Sequence, residues 1–362
     1  MGKAGAPHPA LVHGALITTQ VLFGAGSVVG ALGLPSFNPL LFALIREGAA
    51  GPLLMAAAAV WAPTRVGDVL HEWRDFLWLG FFIFSNQLFF ILGLKLSNPV
   101  AGSIWQPSQP IFTAAIAVWL GMEKPSRRRI LGICVAFAGC AAMVALSSSG
   151  GSNNALVNEL VGNCFFFLNC LATSLYVIRC KPLLRRFPAL AVTAYSYMLA
   201  SLMMGCTAVT LNSVRPALDF LCPDCGGHGW RVPAAALPAL AYWILAQSCA
   251  AYGLMTWGNK YASASLVSAY TVLQPVTSSA LTALILAANA YHNCAARDDD
   301  DHCLNYPGVG DLGAVGVFAG LYFVVTSEPA LGAGGASDSD GEDAADAARG
   351  NPLLADVGRL NA

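Results

Sequence analysis

One helix pair of this chain occurs twice, without a gap, in two stretches that lie 165 positions apart. The first stretch, GLKLSNPVAGSIWQPSQPIFTAA, begins at Gly93, and the second, GNKYASASLVSAYTVLQPVTSSA, begins at Gly258. Both contain a Gln-Pro step, at Gln109-Pro110 and at Gln274-Pro275. Repeated hydrophobic segments indicate a membrane protein built from two related halves, with its site at the interface between them.

Solid apolar runs make up most of the chain, which is 56% hydrophobic and only 11% charged. A soluble domain typically has about a quarter of its residues charged. Runs of about 20 apolar residues suit helices that cross a bilayer, whereas the strands of a membrane barrel would alternate apolar and polar residues. The composition therefore predicts an all-α membrane protein.

The apolar runs predict ten transmembrane helices, five in each half. Because five is odd, the second half would enter the membrane upside down, which gives two inverted five-helix repeats. The predicted helices span residues 11–33, 39–61, 75–94, 100–121, 129–147, 158–178, 189–211, 235–257, 263–288 and 309–327. The predicted parts of the chain are an N-terminal tail (1–10), the first repeat (11–148), a linker (149–157), the second repeat (158–328) and a disordered acidic tail (329–362).

The basic residues predict the orientation. Fourteen of the 19 Lys and Arg residues fall on one side of this topology and four on the other, with Arg46 inside a helix. Because cytosolic loops are enriched in Lys and Arg, both tails are expected in the cytosol. The first apolar run, from Leu11 past Val29, is too long for the core of a signal peptide and is predicted to remain as the first helix.

Several functions are disfavoured by what the sequence lacks. The net charge is −1 and no basic patch is interleaved with aromatics, which argues against nucleic-acid binding. No GxxxxGK[ST] phosphate loop is present. No nucleophile–base pair or carboxylate cluster is visible either. We therefore expect neither an enzyme nor a bound cofactor.

Two polar stripes follow the repeated helices. Gln109-Pro110 lies about nine residues, or about 14 Å, into its helix, near the middle of a hydrocarbon core about 30 Å thick. Proline frees the carbonyl four residues earlier, which predicts free carbonyls at Gln106 and Thr271 that face protein, water or a ligand. Spacings of three and four define the stripes: Ser103, Gln106, Gln109 and Thr113 in the first half, and Ser268, Thr271, Gln274 and Ser278 in the second.

The stripes have two interpretations. Ser, Thr and Gln hydrogen-bond between membrane helices, so the stripes could simply hold the bundle together. Their recurrence at matching depth in both halves favours a solute site, with Pro110 and Pro275 at the same level. Trp105 and Tyr270 also occupy matching positions, and either stack on a flat solute or pack within the bundle.

Arg46-Glu47 is the one charged pair deep in a predicted helix. Charges inside a membrane are costly and are candidates for functional sites. Arg46 could meet a solute carboxylate, and Glu47 could carry a coupling proton. The alternative is an internal ion pair, or snorkelling of the side chains toward the interface.

Four of the 11 cysteines occupy two loops on the predicted non-cytosolic side: Cys222, Cys225, Cys294 and Cys303. Disulfides are plausible there because that compartment can be oxidising. Unpaired thiols are a second interpretation, and zinc bound together with nearby histidines is a third. No metal is expected in the intramembrane site.

The repeated segments resemble the EamA-type branch of the drug/metabolite transporter superfamily, and within it the plant walls-are-thin-related transporters. The resemblance rests on NQLFFILGLKLSNPVAGSIWQPSQPIF (Asn86 to Phe112), on the following GMEKPSRRRILG, and on the helix from Leu266 through Pro275. It covers roughly residues 11–328. It implies a ten-helix, inverted-repeat transporter of small organic metabolites, with a central cavity lined by both halves.

One residue agrees with this family pattern, and one loop departs from it. Arg46 falls where the family often has an arginine in its second helix. In the second half, a longer loop from Tyr291 to Pro307 replaces the turn that would match Glu123-Lys124.

The repeat and the resemblance together predict a secondary transporter that moves a small, partly apolar organic solute across the lipid bilayer by alternating access. Gln109, Gln274 and the freed carbonyls would contact the solute, and Arg46 or Glu47 would set its charge preference. A phosphate-ester or nucleotide-sugar translocator ranks second, because its anionic substrates should need more than one buried cation. A non-transporting membrane receptor or scaffold is the alternative from another class. A homodimer is left open.

Overall fold

The computed structural model describes residues 7–33, 37–96, 105–124, 126–147, 156–222, 225, 227–288 and 312–327. Every regular element within these ranges is helical. The first repeat region contains α1 (Pro9–Gly33), α2 (Pro39–Trp61), α3 (Val66–His71), α4 (Trp73–Leu96), a 3-10 turn (Gln106–Ser108), α5 (Gln109–Trp119) and α6 (Arg127–Ser147). The second contains α7 (Leu156–Arg186), α8 (Ala189–Ser213), α9 (Arg215–Leu221), a 3-10 turn (Ala234–Ala236), α10 (Leu237–Tyr242), a π-helical segment (Trp243–Ala251), α11 (Tyr252–Tyr261), α12 (Ala264–Ala269), a 3-10 turn (Tyr270–Val272), α13 (Leu273–Ala287) and α14 (Ala314–Val325).

Seven helical segments in the described ranges are long and apolar enough to cross a bilayer. They are Pro9–Gly30, Pro39–Trp61, Trp73–Gly93, Val161–Arg186, Ala189–Ser213, Ala234–Tyr261 and Ala264–Ala287.

The other three predicted helices correspond to α5, α6 and α14, which do not reach that length and apolarity. The helices α5 and α14 have only 11 and 12 residues, and α6 begins with three arginines. Part of the predicted 100–121 helix lies outside the described residues, and its described part is interrupted by a 3-10 turn. The predicted number of ten is therefore not reached by the criteria of length and composition in the described residues.

Local sequence explains where key helices begin. The Asn38 side chain accepts hydrogen bonds from the N–H groups of Leu40 and Leu41, and Pro39 takes the first helical position of α2. Ser263 accepts a bond from the Leu266 N–H at 3.1 Å at the start of α12. Both are N-caps that satisfy donors left unpaired in a first turn.

Matching helices of the two halves pack against each other. Three such pairs of predicted helices are in contact: the second and seventh through α2 and α8, the fourth and ninth through α5 and α12, and the fifth and tenth through α6 and α14. In the first pair, Asn38 at the start of α2 donates to Asn212 near the end of α8, at 3.0 Å, so these helices run antiparallel. The two halves are thus interleaved along their whole length, rather than lying side by side as separate bundles.

Glycines allow α6 and α14 to approach closely, also in antiparallel fashion. A Cβ atom on Gly320 would lie 2.4 Å from both the Gly132 carbonyl oxygen and the Ala136 nitrogen. One on Gly316 would lie 3.0 Å from the Gly139 Cα. Only glycine permits such contact between backbones, which is a common way for membrane helices to pack.

The outer faces of the long helices carry large apolar side chains, as a lipid environment requires. Leu202 is 60% exposed, Val209 53% and Leu245 59%. The interior is closed by aromatic residues such as Phe76, Phe166 and Tyr197, which are fully buried. This arrangement leaves the polar residues of the bundle concentrated between the two halves.

Candidate functional site

The two proline-containing helices are broken in the same way in both halves. A 3-10 turn at Gln106–Ser108 precedes α5, and the matching turn at Tyr270–Val272 precedes α13. The two turns contact each other. Sequence-matched breaks therefore come together between the halves, as the repeat predicted.

The expected free carbonyls are absent from these turns. The Gln106 carbonyl accepts the N–H of Gln109, and the Thr271 carbonyl accepts the N–H of Leu273. Proline removes the donor that an α-helix would supply, but tightening to a 3-10 turn brings an earlier N–H to the same oxygen. The prediction that these carbonyls are free to contact a solute is therefore wrong in this conformation.

The first polar stripe bonds to α7. Trp105 Nε1 donates to Asn163 at 2.9 Å, and Gln106 Nε2 donates to Asn169 at 3.1 Å. Gln109 Nε2 in turn donates to the Gln106 amide oxygen at 2.7 Å. In this half the amides form a chain that runs along the helix break. Ser103 lies outside the described residues.

The second stripe bonds mainly to α1. Gln274 Nε2 donates to Gln20 at 2.7 Å, and Tyr270 Oη lies 2.5 Å from His13 Nδ1. The Thr271 hydroxyl turns back to the Ser268 carbonyl at 2.7 Å. Gln109 and Gln274 therefore hold different neighbours and do not bond to each other.

The two stripes meet at Thr113 and Ser268, whose hydroxyl oxygens lie 2.8 Å apart. Thr113 also donates to Ser174 on α7, at 3.0 Å. All three side chains are buried. Pro110 is buried at this junction and Pro275 is half-buried, so both prolines lie inside the bundle at the level of the break.

Arg46 and Glu47 lie inside the protein on α2, 3% and 0% exposed. The Arg46 guanidinium sits over the Trp243 ring, 5.1 Å from its centroid. Neither carboxylate oxygen of Glu47 has a hydrogen-bond partner among the described residues, and the same holds for Nε of Arg46 and Nε1 of Trp243. Snorkelling to the membrane interface does not describe these side chains, because both are buried.

A network of hydrogen bonds runs from Tyr252, near this charged pair, to the first helix break. The hydroxyls of Tyr197 and Tyr252 lie within electrostatic reach of Arg46 and Glu47. Tyr252 Oη accepts from Gln87 Nε2 at 3.2 Å and donates to Asn86 at 3.4 Å.

From α4 the network continues to α7. Asn86 Nδ2 donates to Thr173, and the Asn86 carbonyl accepts from Asn169 Nδ2 at 2.7 Å. Asn169 is also the partner of Gln106. Hydrogen bonds therefore join polar groups of both halves from Tyr252 to Gln109.

Sequence reasoning missed several members of this arrangement, and five of them illustrate why. Extending the repeat six residues toward the N-terminus would have found Gln87 and Tyr252, which are 165 residues apart, like Gly93 and Gly258. The signal for the others, Asn169, Gln20 and His13, is only that each is a polar residue in an apolar run. Such a signal does not say which way the side chain points.

The π-helical segment Trp243–Ala251 also escaped prediction, since the 235–257 run was expected to be a regular helix. Its wider turns place Trp243 under Arg46. They also place Gln247 in the space left by Gly26 on α1, where Gln247 Nε2 donates to the Phe23 carbonyl at 3.1 Å. Stretches of π-helix are frequent at functional sites.

The loop after α9 contains a disulfide between Cys222 and Cys225, whose Cα atoms are 5.4 Å apart. This pair follows the disulfide interpretation of the sequence. Cys294 and Cys303 lie outside the described residues. Within the described ranges, no group of three or more His, Cys, Asp or Glu side chains is arranged to hold a metal ion.

A helical bundle with several membrane-spanning segments, built from two repeats that enclose a polar interior, defines an integral multi-pass membrane protein of the transporter type. The chain belongs to the EamA-like transporter family, whose sequence pattern matches twice, at residues 12–145 and 160–291. The first match lies within the first predicted repeat, and the second ends at residue 291, before α14.

Individual relatives are distant. The chain is 24% identical over 353 residues to Protein WALLS ARE THIN 1 of Arabidopsis thaliana, which spans 89% of this chain and 84% of that protein. It is also similar in fold to a protein of known crystal structure, with a TM-score of 0.67 and 15% identity over 88% of this chain and 98% of that one. At this identity the structural likeness concerns the fold alone.

Proposed function

We propose that the chain is a secondary transporter of small organic solutes that works by alternating access. In this proposal ten helices form two inverted repeats, both tails face the cytosol, and the solute binds between the repeats near the middle of the bilayer. Membership of the EamA-like transporter family supports the general activity. The antiparallel packing of matching helices, such as α6 against α14, supports the inversion.

The observation that carries the proposal is the buried polar interior shared by both repeats. Arg46 and Glu47 are buried with atoms that lack hydrogen-bond partners in the described protein, and a chain of amides leads from Tyr252 to Gln109. Unpaired polar groups are costly away from water and are found where a ligand or water completes them. A bundle that served only as a scaffold would gain stability from apolar residues at these positions.

The proposed solute site consists of the residues that the sequence analysis singled out. Arg46 and Glu47 would contact the polar part of the solute. Gln109 and Gln274 would exchange their present amide partners for the solute, and Tyr270 and Trp105 would flank it. The remaining residues of the set, Ser103, Gln106, Pro110, Ser268, Thr271 and Pro275, would shape the break between the half-helices.

The charge balance disfavours the phosphate-ester alternative. Arg46 is paired in sequence with Glu47, and the other buried arginine among the described residues, Arg129, bonds to Glu123. A doubly charged phosphate would need to overcome the Glu47 carboxylate with a single guanidinium. A neutral or internally balanced solute fits this pair better.

The test is solute flux through the purified protein in proteoliposomes. The vesicles are incubated with an isotope-labelled extract of small metabolites, and the enclosed compounds are identified by mass spectrometry. We expect at least one organic solute to accumulate relative to empty vesicles. Gln109→Ala and Gln274→Ala should lower its flux by about tenfold or more, while the protein stays folded by size-exclusion chromatography.

Two outcomes contradict this proposal in different ways. Flux that is unchanged in both glutamine variants would reject the site between the helix breaks. If no metabolite enters the vesicles, although the protein is folded and inserted, the result would reject transport and favour the receptor interpretation.

A further inference from the structure

Glu123 joins the two repeats at one end of the bundle. It lies in the turn after α5, in the first repeat, and reaches α12 in the second. Its Oε1 accepts the Ser265 N–H at 3.1 Å, and its Oε2 accepts the Ser265 hydroxyl at 2.5 Å. Arg129 Nη1, at the start of α6, lies 2.6 Å from the same Oε2.

The carboxylate that makes this contact is shielded from water, unlike the ion pairs that connect the repeats elsewhere in the described residues. The side chains of Glu123 and Arg129 are only 8% and 10% exposed. By comparison, Arg179 and Asp75, which link α7 to α4, are 43% and 28% exposed. Exposed pairs are weakened by water and salt, whereas charge-assisted hydrogen bonds in a shielded site are about twice as strong as neutral ones.

The segment held by Glu123 is the one that leads into the second helix break. Lys181 of α7 donates to the Asn259 carbonyl at 2.6 Å and to the Ala262 carbonyl, just before α12. The start of α12 is therefore fixed on one side by its own repeat and on the other by Glu123. One turn of helix further on, Ser268 meets Thr113.

The second repeat does not reproduce this contact. Adding 165 to Glu123 gives Ala288, and subtracting 165 from Ser265 gives Val100. Neither an alanine nor a valine side chain can form a hydrogen bond. The halves match at their helix breaks but differ in this one polar connection.

We infer that Glu123 is a charged latch, which holds the Glu123–Ser265 end of the bundle closed in the resting state and must release before that end opens. The inference rests on the proposed function, because a latch matters only if the ends open in turn. The predicted orientation puts this end at the cytosol. At the opposite end, among the described residues, the repeats are joined by a neutral amide instead: Asn38 donates to Asn212 at 3.0 Å and to the Gly229 carbonyl at 2.9 Å.

The test is hydrogen exchange by mass spectrometry on the full chain in lipid nanodiscs, with no solute added. Exchange reports how often a segment opens. Glu123→Ala removes two hydrogen bonds to Ser265, and a single charge-assisted bond corresponds to about a tenfold change in an equilibrium. We expect exchange to become about tenfold faster or more in α5 and in Ala264–Val272 together, because opening this end exposes both helices.

The matched control is Asp75→Asn, which removes a charge from an exposed pair between the same repeats and should leave exchange in α5 and α12 unchanged. Ser265→Ala removes only the hydroxyl bond and should give a smaller rise in the same segments. If Glu123→Ala exchanges faster along the whole chain because it misfolds, the latch is tested by Ser265→Ala instead. That variant must then show the smaller rise in exchange in α5 and Ala264–Val272 together.

Faster exchange confined to Ser263–Leu266, or no change relative to Asp75→Asn, would overturn the latch. Because no solute is present, this outcome is independent of whether transport itself is found.

Discussion

Gln87 and Tyr252 occupy the same position in the two repeats and bind each other, since Gln87 Nε2 donates a hydrogen bond of 3.2 Å to Tyr252 Oη. They are separated by 165 residues, the spacing that also aligns Gly93 with Gly258. In a molecule with two-fold related halves, equivalent residues touch only near the axis between the halves. In the proposed inverted-repeat arrangement this bond lies near that axis, with the Tyr197 ring 5.0 Å from that of Tyr252.

The first prediction concerns this central bond. Tyr252→Phe removes the acceptor of Gln87 while keeping the ring that packs against Tyr197 and Phe23. Hydrogen bonds between membrane helices contribute about 0.6 kcal/mol on average, and up to about 1.7 kcal/mol. We expect a loss of about 1 kcal/mol in the free energy of unfolding, measured by denaturant or thermal unfolding in detergent.

Tyr261→Phe is the control for this experiment, because Tyr261 is on the same helix but is 37% exposed. It should leave stability within a few tenths of a kcal/mol. If the two variants unfold alike, the central bond contributes nothing to the fold and its position on the axis is incidental.

Much of the architecture follows from the sequence because apolar length and turn residues are local signals. The second helix was predicted at 39–61 and is found at Pro39–Trp61, where Asn38 and Pro39 define its start. The two helix breaks were predicted from Pro110 and Pro275, and both occur at the corresponding level in the structure. A proline acts on its own turn, so its effect can be inferred without knowing the neighbours.

The partners of the polar residues were harder to infer, because they depend on how each helix is rotated against the next. Gln109 and Gln274 match in sequence, yet one bonds within its own helix and the other to Gln20 on α1. The free carbonyls were predicted for an ideal α-helix, and the local tightening to a 3-10 turn removed them. Polar residues in an apolar run identify the face of a helix that points to the interior. They do not identify the partner to which each of them will bond.

A second prediction tests the close packing of α6 and α14. Gly320→Val places a branched side chain where even a Cβ would lie 2.4 Å from the Gly132 oxygen and the Ala136 nitrogen. These are backbone atoms, so the helices must separate. Overpacking of this kind typically costs about 1–3 kcal/mol, and we expect a lower melting temperature and a lower yield of monodisperse protein.

Gly14→Val is the matched control, because a Cβ at Gly14 meets nothing within 4 Å. Its melting temperature should stay near that of the wild type. If Gly320→Val has the same melting temperature as Gly14→Val, α6 and α14 do not pack as described.

A third prediction concerns the loop after α9. Cys222 and Cys225 enclose a very short loop, so the entropic model gives a stabilisation of no more than about 2 kcal/mol from their disulfide. We expect reductant to lower the melting temperature only slightly. Peptide mapping without reduction should recover these two cysteines as a linked pair that alkylating reagents do not modify. Alkylation of both before reduction would contradict the pairing.

The last prediction distinguishes two roles for Arg46 and Glu47: neutralising each other's charge, and binding a solute. Each side chain is buried, and each is the nearest opposite charge of the other in sequence. Removing one member of a buried pair leaves an uncompensated charge and costs about 3–5 kcal/mol, whereas replacing both with apolar residues is often neutral or stabilising. We therefore expect Arg46→Met and Glu47→Leu to lower stability strongly as single variants, and the double variant to recover most of that loss.

Transport by the wild type, the two single variants and the double variant should not follow their stability. An apolar pair cannot form polar contacts with the polar part of a solute. The double variant should fold well and yet lose solute flux by at least about tenfold in proteoliposomes. Full flux in the stable double variant would remove Arg46 and Glu47 from the site and leave them as a structural pair. If instead the double variant is as unstable as the two single variants combined, the two charges do not compensate each other. In that case each must be balanced by another group.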